Sequence, residues 1–171
     1  QLDRSELKAE RLVEISSSAR ETLDQMRDIV WLLSPKAGGD WADLSLRLEA
    51  IARRLLEGSG HQIVVEGRPP SGKPAIARAR DLVAFLKESL SNAVRHGGAS
   101  EVRVTFNWSA SLVLKIEDDG KGFDPKESAA SSGSGLRHLR ERAASLKAVL
   151  SIHSHPGEGT RIQLDMPYRR R

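Results

Sequence analysis

Glu88 and Asn92 stand four residues apart in a segment of helical spacing, so their side chains leave one face of a helix a single turn apart. A carboxylate and an amide oxygen so placed can hold or polarise a hydrated magnesium ion, which takes oxygen ligands and keeps several waters. Alone, the same pair is an ordinary solvated helix face. Asp118-Asp119-Gly120-Lys121-Gly122 follows an apolar run where the chain must turn sharply, and its glycines would let a flat ligand come close to the backbone. A carboxylate at that strand end accepts from an exocyclic amino group, favouring adenine over a purine that presents a carbonyl there; Asp-Gly is equally ordinary turn chemistry. Gly133-Ser134-Gly135 directly precedes a helix, whose free N–H groups and dipole suit phosphate. Gly157-Glu158-Gly159-Thr160 turns into the last strand, offering backbone donors and a hydroxyl; by itself it is a hairpin turn.

These groups need elements to hold them. Leu12, Ile15, Ala19, Thr22, Met26, Ile29 and Leu33 alternate by three and four, the spacing of a bundle helix, and Ser34-Pro35 ends it. Lys36 to Gly39 reads as a joint, giving units 1–35, 36–39 and 40–171. Asp40 is an N-cap candidate for a helix whose apolar face is Leu44, Leu48, Ile51, Ala52, Leu55 and Leu56, stopped by Gly58 and Gly60. A strand is predicted over 61–66, then a long helix over 75–95 that buries Leu82, Val83, Phe85, Leu86, Leu90 and Val94. Val102, Val104 and Phe106 alternate with polar residues, as do Leu112, Leu114 and Ile116, predicting an antiparallel pair joined through 107–111. The serine- and glycine-rich stretch 120–135 reads as a mobile loop, 136–147 as a helix, and 148–155 with 159–166 as a second strand pair. The fold expected is α+β: a two-layer sandwich in which helices cover one face of a mixed, largely antiparallel sheet, preceded by a long helix.

A chain of 171 residues accommodates one main domain and an additional element. No apolar run approaches the roughly 20 residues of a membrane span, and the absence of cysteine excludes disulfides and thiolate zinc. The formal charge of +4 arises from interleaved charges, with a basic cluster only at Arg169 to Arg171, so neither nucleic acid nor a membrane surface is an expected partner. A cytoplasmic setting is the expectation.

Taken in order, Glu88-x-x-x-Asn92, Asp118-x-Gly120-x-Gly122, Gly133-x-Gly135-Leu136 and Gly157-x-Gly159-Thr160 resemble the ATPase superfamily of gyrase, heat-shock chaperones, histidine kinases and mismatch-repair proteins. Within it, Glu88-Ser-Leu-Ser-Asn92-Ala-Val-Arg-His96 and Gly135-Leu-Arg-His-Leu-Arg-Glu-Arg-Ala143 are most similar to sensor kinases of the nitrate/nitrite and membrane-fluidity type. The resemblance covers about 40–167, and the first helix resembles the second dimerisation helix of that subfamily. It implies a Bergerat-type ATP-binding fold with ATP and Mg²⁺ as cofactors. Asp118 would bind the adenine amino group, Asn92 the magnesium, and Glu88 would polarise the attacking group or its water. Arg95 and His96 would approach the nucleotide, while Gly120, Gly122, Gly133, Gly135, Leu136, Gly159 and Thr160 would line its pocket and the mobile lid over the phosphates. The implied partners are a second copy in the parent protein, weakly held by this chain, and a response regulator.

In that subfamily an acid follows the phosphoacceptor histidine. None of His61, His96, His138, His153 and His155 precedes an acid, and none lies in the first helix. Either the acceptor helix was trimmed, which an opening Gln1 favours, or the chain is a relative that acts on another protein. Two other readings share the fold: a serine kinase that controls a sigma factor, and a non-catalytic dimerisation module that senses nucleotide.

Overall fold

The computed structural model describes residue 26 and residues 39–124 and 134–168. The expected bundle helix, most of the joint after it, Gly133 with most of the predicted lid, and the basic tail lie outside the described residues. The chain divides into Gln1–Gly38 and Gly39–Arg171, and the second unit holds the sheet.

Asp40 caps the first described helix, α1 (Trp41–Leu55): its Oδ1 accepts from the N–H groups of Ala42 at 2.8 Å and Asp43 at 3.0 Å. Asp43 reciprocates by accepting from the Asp40 N–H, so two of the unpaired donors at the helix start are satisfied by one local exchange. The expected apolar face is buried except Leu55, which is 37% exposed because the last turn rotates it off the packed side. Then follow β1 (Gly60–Gly67), α2 (Ile76–Ser91) and a π-helical turn over Asn92–His96. β2 (Glu101–Trp108) and β3 (Ser111–Asp118) come next, then α3 (Ser134–Leu146), β4 (Val149–Ser154) and β5 (Thr160–Pro167). The helix expected to run on to Arg95 therefore changes its winding at Asn92, and Val94 is only partly buried.

The sheet order is β1-β2-β3-β5-β4, with β1 parallel to β2 and every other pair antiparallel. Strand alternation puts one side of each strand on one face, and the register lines these sides up. Val104, Ile116 and Ile162 form one row across three strands, and Phe106, Leu114 and Leu164 the next. All six are buried, whereas Arg103, Thr105, Lys115 and Gln163 occupy the other side. The helices supply the rest of the core, with Leu48, Leu82, Phe85, Leu86, Leu90 and Leu139 fully enclosed. This is the two-layer α+β sandwich that the sequence predicts. No described helix is long and apolar enough to cross a membrane.

The two ends of the sheet differ. At one, Trp41, Trp108 and Tyr168 form a ring cluster with centroids 5.6 to 6.3 Å apart. Beside it, the Arg78 guanidinium donates to the carbonyls of Leu146, Pro167 and Tyr168, joining α2 to the ends of α3 and β5. At the other end Asp119 fastens the start of β2 to the exit of β3. Its carboxylate accepts from the N–H groups of Ser100 (2.8 Å) and Glu101 (2.9 Å) and from the Ser100 hydroxyl (2.5 Å).

The bond from the Glu101 N–H, followed by that from the Ser100 hydroxyl, holds the Asp119 carboxyl below its ordinary value. A carboxyl depressed in the folded state contributes stability that is full above the unfolded value of about 3.9 and is lost as pH falls through the folded value. Thermal unfolding of the unmutated chain and of Asp119→Asn, compared stepwise from neutral pH downward, should therefore show a gap that closes only in acid. A gap constant across that range would remove the ionised carboxylate from this role.

Candidate functional site

The exit of β3 opens into a cleft of about 380 Å³ enclosed by α2, the π turn, the start of α3 and the start of β5. Two larger hollows lie on the outer face of the sheet and are more open to solvent; both include Gln62, Arg103 and Glu117 in their walls, and one reaches Asp118 and Asp119.

Asp118, at the end of β3, lines the cleft. Its Oδ1 accepts from the Gly120 N–H at 3.0 Å. Burial pushes its carboxyl above the ordinary value; bonds from the backbone of Gly120 and Thr160 counter this, and the neighbouring Asp119 charge adds to the rise. Adjacent aspartates thus do different work: Asp119 ties two strands, and Asp118 presents an acceptor to the cleft.

Two glycines allow this enclosure. Gly159, at φ 75°, lies against the backbone carbonyl of Asp118 with no room for a β-carbon. Gly122, at φ 59°, packs in the same way on the carbonyl of His155. Both conformations are ones that only glycine adopts at no cost. The turn is stitched further by Lys121 N–H to the Gly97 carbonyl at 2.9 Å and by Gly157 N–H to the Lys121 carbonyl at 2.6 Å.

Glu88 and Asn92 line the opposite wall from α2 and the π turn. The start of α3 comes down on them, so that a β-carbon at Gly135 would sit 2.7 Å from Glu88 Oε1 and 3.2 Å from Asn92 Oδ1. Two oxygen-bearing side chains therefore meet a helix N-terminus, where free N–H groups favour anions. Among the described residues no three His, Cys, Asp or Glu side chains gather as a metal site. A cation here would take the Asn92 oxygen with ligand phosphates and water, a donor set that suits magnesium.

Ser154, Thr160 and Phe123 form a fixed network beside Asp118. Ser154 Oγ donates to the Gly159 carbonyl at 2.9 Å and accepts from the Phe123 N–H at 2.9 Å. With that proton committed, the 3.0 Å contact between the Ser154 and Thr160 hydroxyls has Thr160 as donor, so Thr160 offers only lone pairs to a ligand.

Of the residues singled out from sequence, Glu88, Asn92, His96, Asp118, Gly122, Gly135, Leu136 and Thr160 all line this cleft. Gly120 and Gly159 stand behind the wall, acting through their backbones on Asp118. Arg95 is exposed and does not line the cleft, because the wider π turn directs it outward. Ser89, Ala93, Gly97, Lys121, Phe123 and Ile162 also line it and were not singled out. A signal existed for two of them: Leu82, Leu86, Ser89 and Ala93 are spaced by four, three and four, so Ser89 and Ala93 belong to the inward seam of α2.

Residues 77–170 match the family model described as histidine kinase-, DNA gyrase B-, and HSP90-like ATPase. Sensor protein VraS of Staphylococcus haemolyticus is 40% identical over 90 residues, and that of Staphylococcus aureus strain COL 40% identical over 87. These matches cover 52% and 50% of this chain and 26% and 25% of the relatives, so the chain spans about a quarter of their length. In fold, the chain is similar to the ATP-binding domain of PrrB from Mycobacterium tuberculosis. The TM-score is 0.56 at 22% identity, covering 77% of this chain and 96% of that one. It is similar also to the histidine kinase domain of the Erythrobacter litoralis EL346 blue-light activated kinase, with a TM-score of 0.57 at 23% identity, covering 73% and 61%. The chain belongs to the histidine kinase-, DNA gyrase B- and HSP90-like ATPase family, and its ATP-binding domain is the unit built on this five-stranded sheet.

Proposed function

We propose that this chain is the ATP-binding catalytic region of a two-component sensor histidine kinase of the nitrate/nitrite and membrane-fluidity type. In this reading it binds Mg·ATP in the cleft and directs the γ-phosphate to a histidine on a dimerisation helix of the parent protein. The observation that carries it is the half-buried Asp118 carboxylate in a largely apolar cleft that Glu88 and Asn92 also line. The relatives named as sensor proteins support the class. The parent acts as a homodimer, a response regulator receives the phosphoryl group, and the domain works on the cytoplasmic side.

The chain's own residues divide the labour. Asp118 accepts from the adenine amino group, and Ala93, Ile162 and Leu136 supply apolar surface to the ring. Asn92 holds the metal, which when bound neutralises phosphate charge. Glu88 accepts a hydrogen bond from the attacking imidazole and keeps its lone pair aimed at phosphorus. The N–H groups at the start of α3, with Lys121 and His96 on the cleft wall, complement the phosphates.

Asp118→Asn should weaken ATP roughly ten- to hundredfold in calorimetric titration, as expected where a charged acceptor is replaced by an amide. Because burial raises the Asp118 value, that difference should shrink as pH falls through it, the carboxylate being lost from the unmutated chain alone. Equal affinities at neutral pH would remove Asp118 from base recognition. Glu88→Gln should leave ATP affinity nearly intact while lowering transfer to a supplied helix that carries a histidine followed by an acid. Asn92→Ala should reduce the magnesium-dependent part of affinity more than the metal-free part. Acid-labile label on the supplied helix supports the kinase reading, and acid-stable phosphoserine would replace it with a serine kinase.

A further inference from the structure

Ser89 lies on the inward seam of α2, is 1% exposed and lines the cleft. Its Oγ is buried and makes no hydrogen bond. A serine within a helix ordinarily returns its proton to the carbonyl one turn back; this one does not. An unmade bond at a buried hydroxyl destabilises the folded chain, and such groups in native structures call for an explanation. The Nε1 of Trp108 and the hydroxyl of Tyr168, which are also buried and unpaired, belong to the ring cluster at the far end of the sheet. Among these three, Ser89 is the one that faces the cleft.

The chemistry around it sets what it can contact. Asp118, when ionised, only accepts, and Thr160 has given its proton to Ser154. Two residues of the cleft wall are therefore acceptors, and of the two hydroxyls there, those of Ser89 and Thr160, that of Ser89 has the uncommitted proton. A 6-aminopurine presents an amino donor flanked by ring nitrogens that accept, while a 6-oxopurine places an acceptor beside an N–H. An acceptor paired with a hydroxyl donor matches the first pattern.

We propose that Ser89 is a specificity-determining residue for the nucleotide base: its hydroxyl donates, directly or through one water, to a ring nitrogen of adenine flanking the amino group that Asp118 receives. This rests on the nucleotide reading of the cleft. The bond exists only in the liganded protein, so the hydroxyl is a cost to the empty fold and a gain on binding.

The test is calorimetric titration of the unmutated chain and Ser89→Ala with ATP, 1-deaza-ATP and 7-deaza-ATP, with thermal unfolding of both apo proteins. Ser89→Ala should bind ATP about three- to tenfold more weakly, the range of one neutral hydrogen bond. One of the two deaza analogues should show no such loss, since it lacks the nitrogen that the hydroxyl reaches. Apo stability should be unchanged or raised, because the variant removes an unpaired buried hydroxyl without opening a large cavity. A hydroxyl with a merely structural role would give the opposite result: lower apo stability and an equal loss for all three nucleotides, which overturns the proposal. ATP binding that Ser89→Ala leaves unaltered overturns the proposal alone. Failure of the unmutated chain to bind ATP overturns the nucleotide reading and the proposal together.

Discussion

The site depends on how closely the start of β5 approaches the exit of β3. Asp118 is drawn into the cleft because the start of β5 lies directly on its carbonyl, at a distance that only Gly159 permits. The register that pairs Asp118 with Thr160 brings the hydroxyl network to the same point. A side chain at residue 159 would lift β5 from β3 at its first pair, and Asp118 and Thr160 would separate with the strands. Desolvation of the carboxylate, which raises its proton affinity, follows from the same approach. Packing, register and electrostatics at this end of the sheet therefore rest on one contact.

The opposite end explains how such an opening is tolerated. Trp41, Trp108 and Tyr168 bring together the beginning of α1, the end of β2 and the end of β5, and Arg78 adds three carbonyl bonds from α2. The core rows between the ends are continuous branched and aromatic side chains. The polar groups Glu88, Asn92 and Ser89 lie at the other end, along the cleft.

Much of this was legible because it obeys local rules. Strand alternation identified Val102 to Phe106 and Leu112 to Ile116, and the Asp40 capping box marks a helix start within four residues of sequence. The site residues were legible as glycine and carboxylate spacings, although Gly120 and Gly159 act from behind the wall, a distinction that only the fold makes. What local rules missed involves partners distant in sequence. The ring cluster joins residues 41, 108 and 168, which no window contains. Ser89 resembles any polar helix residue until its seam is followed through to Ala93. Leu55 fits an apolar periodicity but lies at a terminal turn with nothing to cover it.

The widened turn at Asn92–His96 has a consequence for how this chain can change. A π turn amounts to a helix that has accepted one surplus residue, and here it is held by the Gly97 N–H to Asn92 carbonyl bond at 2.7 Å. The Gly97 carbonyl in turn receives Lys121, so the surplus residue is what brings the helix end to the Asp-Gly-Lys-Gly turn. Removing any one residue between Asn92 and Gly97 would let the segment relax into regular winding. The helix would become regular, and the widened turn that carries the Gly97 carbonyl to Lys121 would be lost. The length of this stretch therefore bears on the cleft through a backbone position, the Gly97 carbonyl, and not through the exposed Arg95 side chain.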